Sequence, residues 1–161
     1  MIKKSILSLA LFTTIVIISV QISIAEERTL FERLGGTPGI TAIVEDVIEA
    51  HMNNPAINER FLPYRDQPER LAKIKQHIID FFSAGSGGPV EYKGRDMKTT
   101  HKGMDITPAD YMHVMDDIMG VLEKHKIDDE SKKDVLYILW SLKKTIIAKD
   151  EMENKEVKYD K

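Results

Sequence analysis

Gly94-Arg95-Asp96-Met97-Lys98-Thr99-Thr100-His101-Lys102-Gly103 is the stretch on which the reading of this chain turns. A glycine break at Gly85, Gly87 and Gly88 lies before it, and a strong helix start at Thr107-Pro108 lies after it. Its one soft ligand is His101. A neutral imidazole is the commonest protein ligand for metals. By itself a lone histidine is more often a surface or satisfied core residue, so the weight rests on what surrounds it.

On both sides the pattern is helical. A short helix is expected over Thr29 to Leu34, ending at Gly35-Gly36. Thr37-Pro38 reads as an N-cap followed by a proline at the first helical position. From there Ile40, Ile43, Val44, Val47, Ile48 and His51 recur with the spacing of one buried helix face. Phe61-Leu62-Pro63 closes a polar turn and sets an aromatic ring against the interior. A second long helix is expected from about Pro68 to Ala84, with Leu71, Ile74, Ile78, Phe81 and Phe82 as its stripe and His77 on or beside it. Beyond the quoted stretch, Thr107-Pro108-Ala109-Asp110 supplies a cap, a proline and an early carboxylate. The stripe that follows is Tyr111, Val114, Met115, Ile118, Val121 and Leu122. A last helix starts near Asp128 to Ser131 and runs through Val135, Ile138, Leu139, Leu142, Ile146 and Ile147. Few stretches alternate as strands do, so the fold class is all-α.

The ends differ in substance from the middle. Residues 1–25 have a basic start at Lys3 and Lys4, an apolar run from Ile6 to Val20, and the small-x-small pattern Ser23-Ile24-Ala25 of a signal-peptidase site. This predicts export to a bacterial periplasm. An uncleaved anchor in the inner membrane is the alternative, because the apolar run approaches the ~20 residues needed to span a bilayer. Residues 26–150 form the folded domain, and residues 151–161 read as a charged flexible tail. The 161 residues carry a net charge of −3, 42% hydrophobic and 30% charged side chains, which gives no sign of a nucleic-acid partner. The chain has no cysteine, which excludes disulfides, thiolate zinc sites, iron–sulfur clusters and cysteine nucleophiles.

Several chemistries lack their residues. No serine sits in a nucleophile-elbow context. Gly85-Ser86-Gly87-Gly88 lacks the lysine and preceding strand of a phosphate loop and reads as a helix end. No helical His-Glu zinc motif occurs. The methionines at 97, 104, 112, 115 and 119 could in principle ligate a metal, but core packing is their ordinary use. His113 and His125 read as surface residues, and His51 as a rim residue one turn past Ile48. There remain His77 and His101, each beside an apolar stripe. An apolar slot between helices with a few polar groups is how a flat cofactor is held. Ile74 and Ile78 could cover one face of a porphyrin while His101 ligates from the other. A plain helical bundle with two ordinary histidines is the alternative from the residues alone.

A wider set of residues adds a resemblance. Leu30-Phe31-Glu32-Arg33-Leu34-Gly35-Gly36, Val44-Glu45-Asp46, Asn54-Pro55 to Phe61, Phe81-Phe82, Gly87-Gly88-Pro89, Tyr92-Lys93-Gly94-Arg95-Asp96-Met97 and His101 together resemble the truncated haemoglobins of the first group. The likeness covers the chain from Leu30 to about Ala148. It implies a shortened globin fold, a two-over-two helical sandwich around haem. It implies haem b (iron protoporphyrin IX), bound non-covalently. It makes His101 the proximal ligand of the haem iron and Phe61 the pocket phenylalanine packed on the haem. It sets Ile48, Ile74 and Ile78 on the distal side, Phe82, Met97, Tyr111 and Val114 along the haem walls, and Lys98 near a propionate or in solvent.

The chain also departs from the group. Many members carry tyrosine where Ile48 stands and glutamine where Ile74 or Ile78 stands. Those side chains donate hydrogen bonds to bound O₂, and each one lost costs on the order of 1 kcal/mol. Three isoleucines donate none, so O₂ is expected to leave quickly. His77 matches a position where some relatives set a second histidine on the iron; it either ligates the iron or lies at the haem edge. The function implied is reversible binding of O₂, NO, CO or cyanide. The alternatives are an enzyme for NO or reactive-oxygen detoxification, with peroxidase-like turnover, and a bis-histidine electron-transfer protein with a redox partner. The expected assembly is a monomer or weak dimer.

Overall fold

The computed structural model describes residues 28–147. The expected leader and the expected tail lie outside them. All regular structure among the described residues is helical, as the periodicity predicts: α1 Leu30–Arg33, α2 Gly36–Asn53, α3 Pro68–Gly85, α4 Met97–His101, α5 Pro108–Lys124 and α6 Asp129–Ile146. Two 3-10 turns, Asn58–Arg60 and Leu62–Tyr64, carry the chain from α2 to α3. The long helices form two packed pairs, α2 with α3 and α5 with α6, and the pairs meet where α2 crosses α5.

Local chemistry sets the ends. Thr29 and Glu32 make a reciprocal capping box at α1, and Thr107 and Asp110 make another at α5. Four residues are too few to hold a helix by themselves. α1 is fastened from outside by Phe31 N–H to the Ser86 carbonyl at 2.9 Å, and by Arg33, which donates to Ser131 Oγ at 3.0 Å and to Asp134. The helix start expected at Thr37-Pro38 moves two residues earlier. Gly35 is the cap, at a left-handed φ of 87° that costs glycine little. Thr37 and Pro38 therefore sit inside the first turn, where a missing N–H breaks no helical bond.

The core follows the stripes on three helices. On α2 Ile40, Ile43, Val44, Val47, Ile48 and His51 are all buried, together with Met52. On α5 Tyr111, Met115, Ile118, Val121 and Leu122 are buried, and on α6 Val135 and Leu139. α3 is different. Its predicted stripe is only half-buried, and the residues shut away from solvent are Ile79 and Ser83. The methionine-rich stretch also divides: Met115 is core, while Met104 and Met112 are exposed. Among the described residues no helix is long and apolar enough to cross a membrane.

Candidate functional site

The half-buried stripe of α3 borders a cavity of about 830 Å³, within the range of roughly 300–1,000 Å³ usual for ligand sites. Residues of all five longer or site-bearing helices, α2 to α6, line it. Ile48, Phe61, Ile74, His77, Ile78, Phe82, Met97, His101, Tyr111 and Val114 all contribute to its wall, so the residues singled out in the sequence come together in one place. Lys98 does not. It is exposed and absent from the lining. At 3.6 residues per turn Met97, Thr100 and His101 share one side of α4, and Lys98 falls on another. The cations that do reach the cavity are Arg60, Arg70, Lys93 and Arg95.

α4 is one turn long and is fixed by hydrogen bonds. Asp96 caps it by accepting from Thr99 N–H at 2.9 Å. Those bonds also hold the Asp96 carboxyl below its ordinary range. The Arg95 carbonyl accepts from Tyr92 Oη at 2.9 Å and from Thr100 Oγ1 at 3.3 Å. The Tyr92 ring meets Phe81 of α3 edge-on, with centroids 5.3 Å apart. Gly94 lets that ring lie close, since a Cβ there would come 2.2 Å from Tyr92 Oη. After α4, Arg60 grips the loop through the carbonyls of Met104 at 2.5 Å and Asp105 at 3.2 Å, and pairs with Asp110 at 2.7 Å.

This frame orients His101. Its Nδ1 lies 2.8 Å from the Met97 carbonyl oxygen. A carbonyl only accepts, so Nδ1 donates, and the neutral ring keeps its lone pair on Nε2. Such a bond fixes the ring of a metal-ligating histidine. His77 has no comparable support and is exposed. Among the described residues no three His, Cys, Asp or Glu side chains converge to hold a metal ion.

Elsewhere the cavity wall is poor in free donors. Tyr111 contributes its ring, but its hydroxyl donates to the Leu139 carbonyl at 2.5 Å. Burial pushes that phenol above its usual range. The sequence reading misplaces His51 as a rim residue. It is 4% exposed, its Nδ1 lies 2.9 Å from Asp117 Oδ2, and its ring stands 4.7 Å from that of Phe61. The signal was there, because His51 continues the buried stripe of α2 and a buried imidazole needs a partner. His125, read as a surface residue, is half-buried and lies 2.6 Å from Asp46 on α2; His113 is exposed as expected. Tyr64, with Arg70 stacked 4.8 Å over its ring, also lines the cavity and carries no sequence pattern that would have picked it out; Tyr92, part of the stretch that carries the resemblance, lines it too.

Comparison with known proteins gives one consistent result. Residues 29–148 match the family described as bacterial-like globin. A group 1 truncated hemoglobin of Mycolicibacterium paratuberculosis is 24% identical over 112 residues, covering 70% of this chain and 79% of that one. A group 1 truncated hemoglobin of Tetrahymena thermophila is 23% identical over 124 residues, covering 77% and 98%. Among solved structures, the Fe(III) form of truncated hemoglobin from Tetrahymena pyriformis superposes with a TM-score of 0.68 at 20% identity, covering 76% of this chain and 100% of that one. The 2/2 hemoglobin from Synechococcus, in the cyanomet state and with covalently attached heme, superposes with a TM-score of 0.65 at 22% identity, covering 74% and 95%. These structures share the two-over-two arrangement of helices.

Proposed function

The chain belongs to the bacterial-like globin family, and from that premise we propose that it is a haem b protein whose iron takes small ligands such as O₂, NO, CO or cyanide, with His101 as the proximal ligand. Members of this family bind haem and small gaseous ligands. The observation that carries the finer reading is the His101 imidazole: its Nδ1–H is spent on the Met97 carbonyl, so Nε2 is free to ligate inside an apolar cavity of about 830 Å³. The residues fit the group in two further ways. One imidazole suits the axial position of a metal that brings its own four nitrogens. Arg70, Lys93 and Arg95 give the wall positive charge suited to carboxylates of the propionate kind. Lys98, off the lining, has no part in this.

Haem supplies a redox-active iron with an open coordination position. The chain's own residues decide what stays there. Phe61 and Phe82 hold the macrocycle by packing. Ile48, Ile74 and Ile78 keep the opposite wall dry and offer no hydrogen bond, so bound O₂ is held weakly and reversible ligand binding is favoured over O₂ storage. His77 lines the cavity and has no hydrogen-bond partner among the described residues, which favours a second reading in which it reaches the iron when no ligand is bound. The leader at residues 1–25 supports a periplasmic location for the haem domain, with a redox partner there to return the iron to its ferrous form.

Titration of the haem-free protein with hemin tests the reading. A stoichiometric Soret band is expected in wild type and its loss in His101→Ala. A colourless wild-type product would overturn it. Extraction into acidified organic solvent is expected to remove all the haem, in contrast to the covalent attachment in the Synechococcus relative. A ferrous spectrum that changes from low-spin to high-spin in His77→Ala supports coordination by His77, and a high-spin wild-type spectrum removes it.

A further inference from the structure

Buried His51 and half-buried Asp117 and Asn54 form a polar cluster that ligand binding as described leaves unused. His51 stands in the apolar face of α2, and Asp117 reaches its Nδ1 from α5 at 2.9 Å. Asn54 donates to the other carboxylate oxygen of Asp117, also at 2.9 Å. A carboxylate only accepts, so Nδ1 carries the hydrogen and Nε2 keeps the lone pair. Nε2 has no hydrogen-bond partner among the described residues. It is not sealed in protein either, because the sealed side-chain polar atom without a partner there is Ser83 Oγ. Nε2 therefore keeps some contact with open space, and His51 is one of the residues that line the cavity.

We propose that His51, held by Asp117, is the proton acceptor that lets this cavity admit a small weak acid in neutral form and keep it as its anion. The ligand class is a neutral weak acid H–X that gives up a single proton: hydrogen cyanide, hydrogen sulfide, hydrazoic acid. The proposal rests on the reading that haem iron occupies the cavity and receives the anion. An anion crossing an apolar wall must shed its water, which is costly, whereas the neutral acid crosses readily. Inside, the H–X bond breaks, its electron pair stays on X, and the proton goes to Nε2. The imidazolium then faces the Asp117 carboxylate through Nδ1–H and the anion through Nε2–H. No net charge has entered the interior.

No other group around the cavity is placed to do this: Asp110, the carboxylate on the wall, already accepts from Arg60 at 2.7 Å and from the Thr107 N–H at 3.0 Å. Ile48, Ile74 and Ile78 are inert, and the Tyr111 hydroxyl is committed to Leu139. Arg60 is paired with Asp110 at 2.7 Å, and Arg70, Lys93 and Arg95 are already cations. His101 is assigned to the iron, and His77 is exposed at the margin. Burial keeps the His51 imidazole neutral at rest, which is the form an acceptor needs. Asn54 and Asp117 are positioning residues, since they act through the ring.

The test counts protons. Haem-loaded protein in weak buffer at neutral pH is mixed with cyanide, which is largely undissociated there. Absorbance reads binding and an indicator dye reads proton release. Wild type is expected to release almost no protons per cyanide bound, His51→Leu close to one, and Asp117→Asn a value between. The variants are also expected to bind cyanide about tenfold more slowly. Equal proton release by wild type and His51→Leu, with cyanide bound in both, overturns the proposal and leaves the haem reading standing. Absence of any haem spectrum overturns both, and haem that takes up no cyanide overturns the proposal alone. Nitrogen-15 spectra of wild type alone guard against a variant that fails to fold: Nε2 of His51 is expected to change from the lone-pair signature to the protonated one on cyanide binding, and an unchanged signal overturns the proposal.

Discussion

α3 and α4 line the same cavity and are built in opposite ways. α3 is an 18-residue helix whose cavity side is Leu71, Ile74, Ile78, Phe81 and Phe82, with His77 exposed at the margin. α4 is five residues long and owes its position to hydrogen bonds at Asp96, Arg95 and Thr100, with Tyr92 and Arg60 bracing its flanks. An apolar wall needs only the right pattern of side chains, and many substitutions preserve it. An imidazole that must aim one nitrogen needs its ring turned and its tautomer chosen. That requires the Met97 carbonyl to stand 2.8 Å from Nδ1. The long helix therefore excludes water, and the short one carries the directional chemistry.

The sharpest way to break this comparison is to remove one group from each wall. His101→Ala is expected to weaken hemin binding by on the order of a hundredfold or more, since even loss of a partner behind a metal ligand costs about 10–100-fold. Ile74→Ala removes comparable bulk from the other wall and is expected to alter hemin affinity only a few-fold. Both are read by hemin transfer to an apo-acceptor protein. Equal losses in the two variants would mean that haem is held by apolar contact alone and that the oriented imidazole is incidental.

A second pair of substitutions probes how α4 is kept in place. Gly94→Ala puts a Cβ 2.2 Å from Tyr92 Oη, so the ring must leave Phe81 or the backbone must move, at a cost of about 1–3 kcal/mol. Gly85→Ala, at the end of α3 with nothing within 4 Å, is expected to be neutral or to stabilise by up to about 1 kcal/mol. Urea unfolding of the haem-free protein measures both. A Gly94→Ala protein as stable as wild type would show that Tyr92 does not brace the His101 segment.

The same contrast explains what could be read from the sequence. The stripes of α2, α5 and α6 are visible because a long helix repeats its burial every turn. Ile40, Val44 and Leu122 lie where the pattern puts them. On α3 the stripe is legible but its purpose is not, because a cavity wall and a core face have the same composition. Ile79 and Ser83 escape the pattern for that reason. α4 is too short to show periodicity, so the frame around His101 emerges only through the family resemblance. Of the two readings of Lys98 the exposed position agrees with the solvent one, a quarter-turn of helix away from the side that Met97 and His101 share. The rim reading of His51 failed: its burial was written in the spacing, but its partner Asp117 lies 66 residues away, and no local pattern reaches that far.

A gain-of-function change sharpens the account of the α3 wall. Ile74→Gln gives that wall the donor it lacks. A hydrogen bond to bound O₂ is worth about 1 kcal/mol, or roughly a fivefold slower loss of O₂. Laser photolysis or stopped-flow displacement by CO measures the rate. CO carries less charge than O₂ when bound, so its dissociation is expected to change less. A uniform slowing of both gases would point to a narrowed exit rather than to a hydrogen bond.

The smallest effect concerns the α2–α5 seam, where a third imidazole is neither aimed at a metal nor exposed. Burial lowers the pKa of His51 below its ordinary 6.5, and the bond to Asp117 pulls it part of the way back. The unfolded chain then binds a proton at higher pH than the folded one. Stability is thus complete above about pH 6.5 and falls as the pH drops from there toward the folded value. His51→Leu is expected to remove this dependence, and Asp117→Asn to extend the loss to lower pH, because the carboxylate no longer favours the charged ring. Urea midpoints of the haem-free protein between pH 5 and 7.5 read the slopes, and carboxylates, which titrate lower, stay out of that window. A gain of stability on acidification in wild type that His51→Leu lacks would mean that Asp117 outweighs burial. His51 would then rest as a cation, and the cavity would meet an incoming ligand with a proton donor already in place rather than with an acceptor.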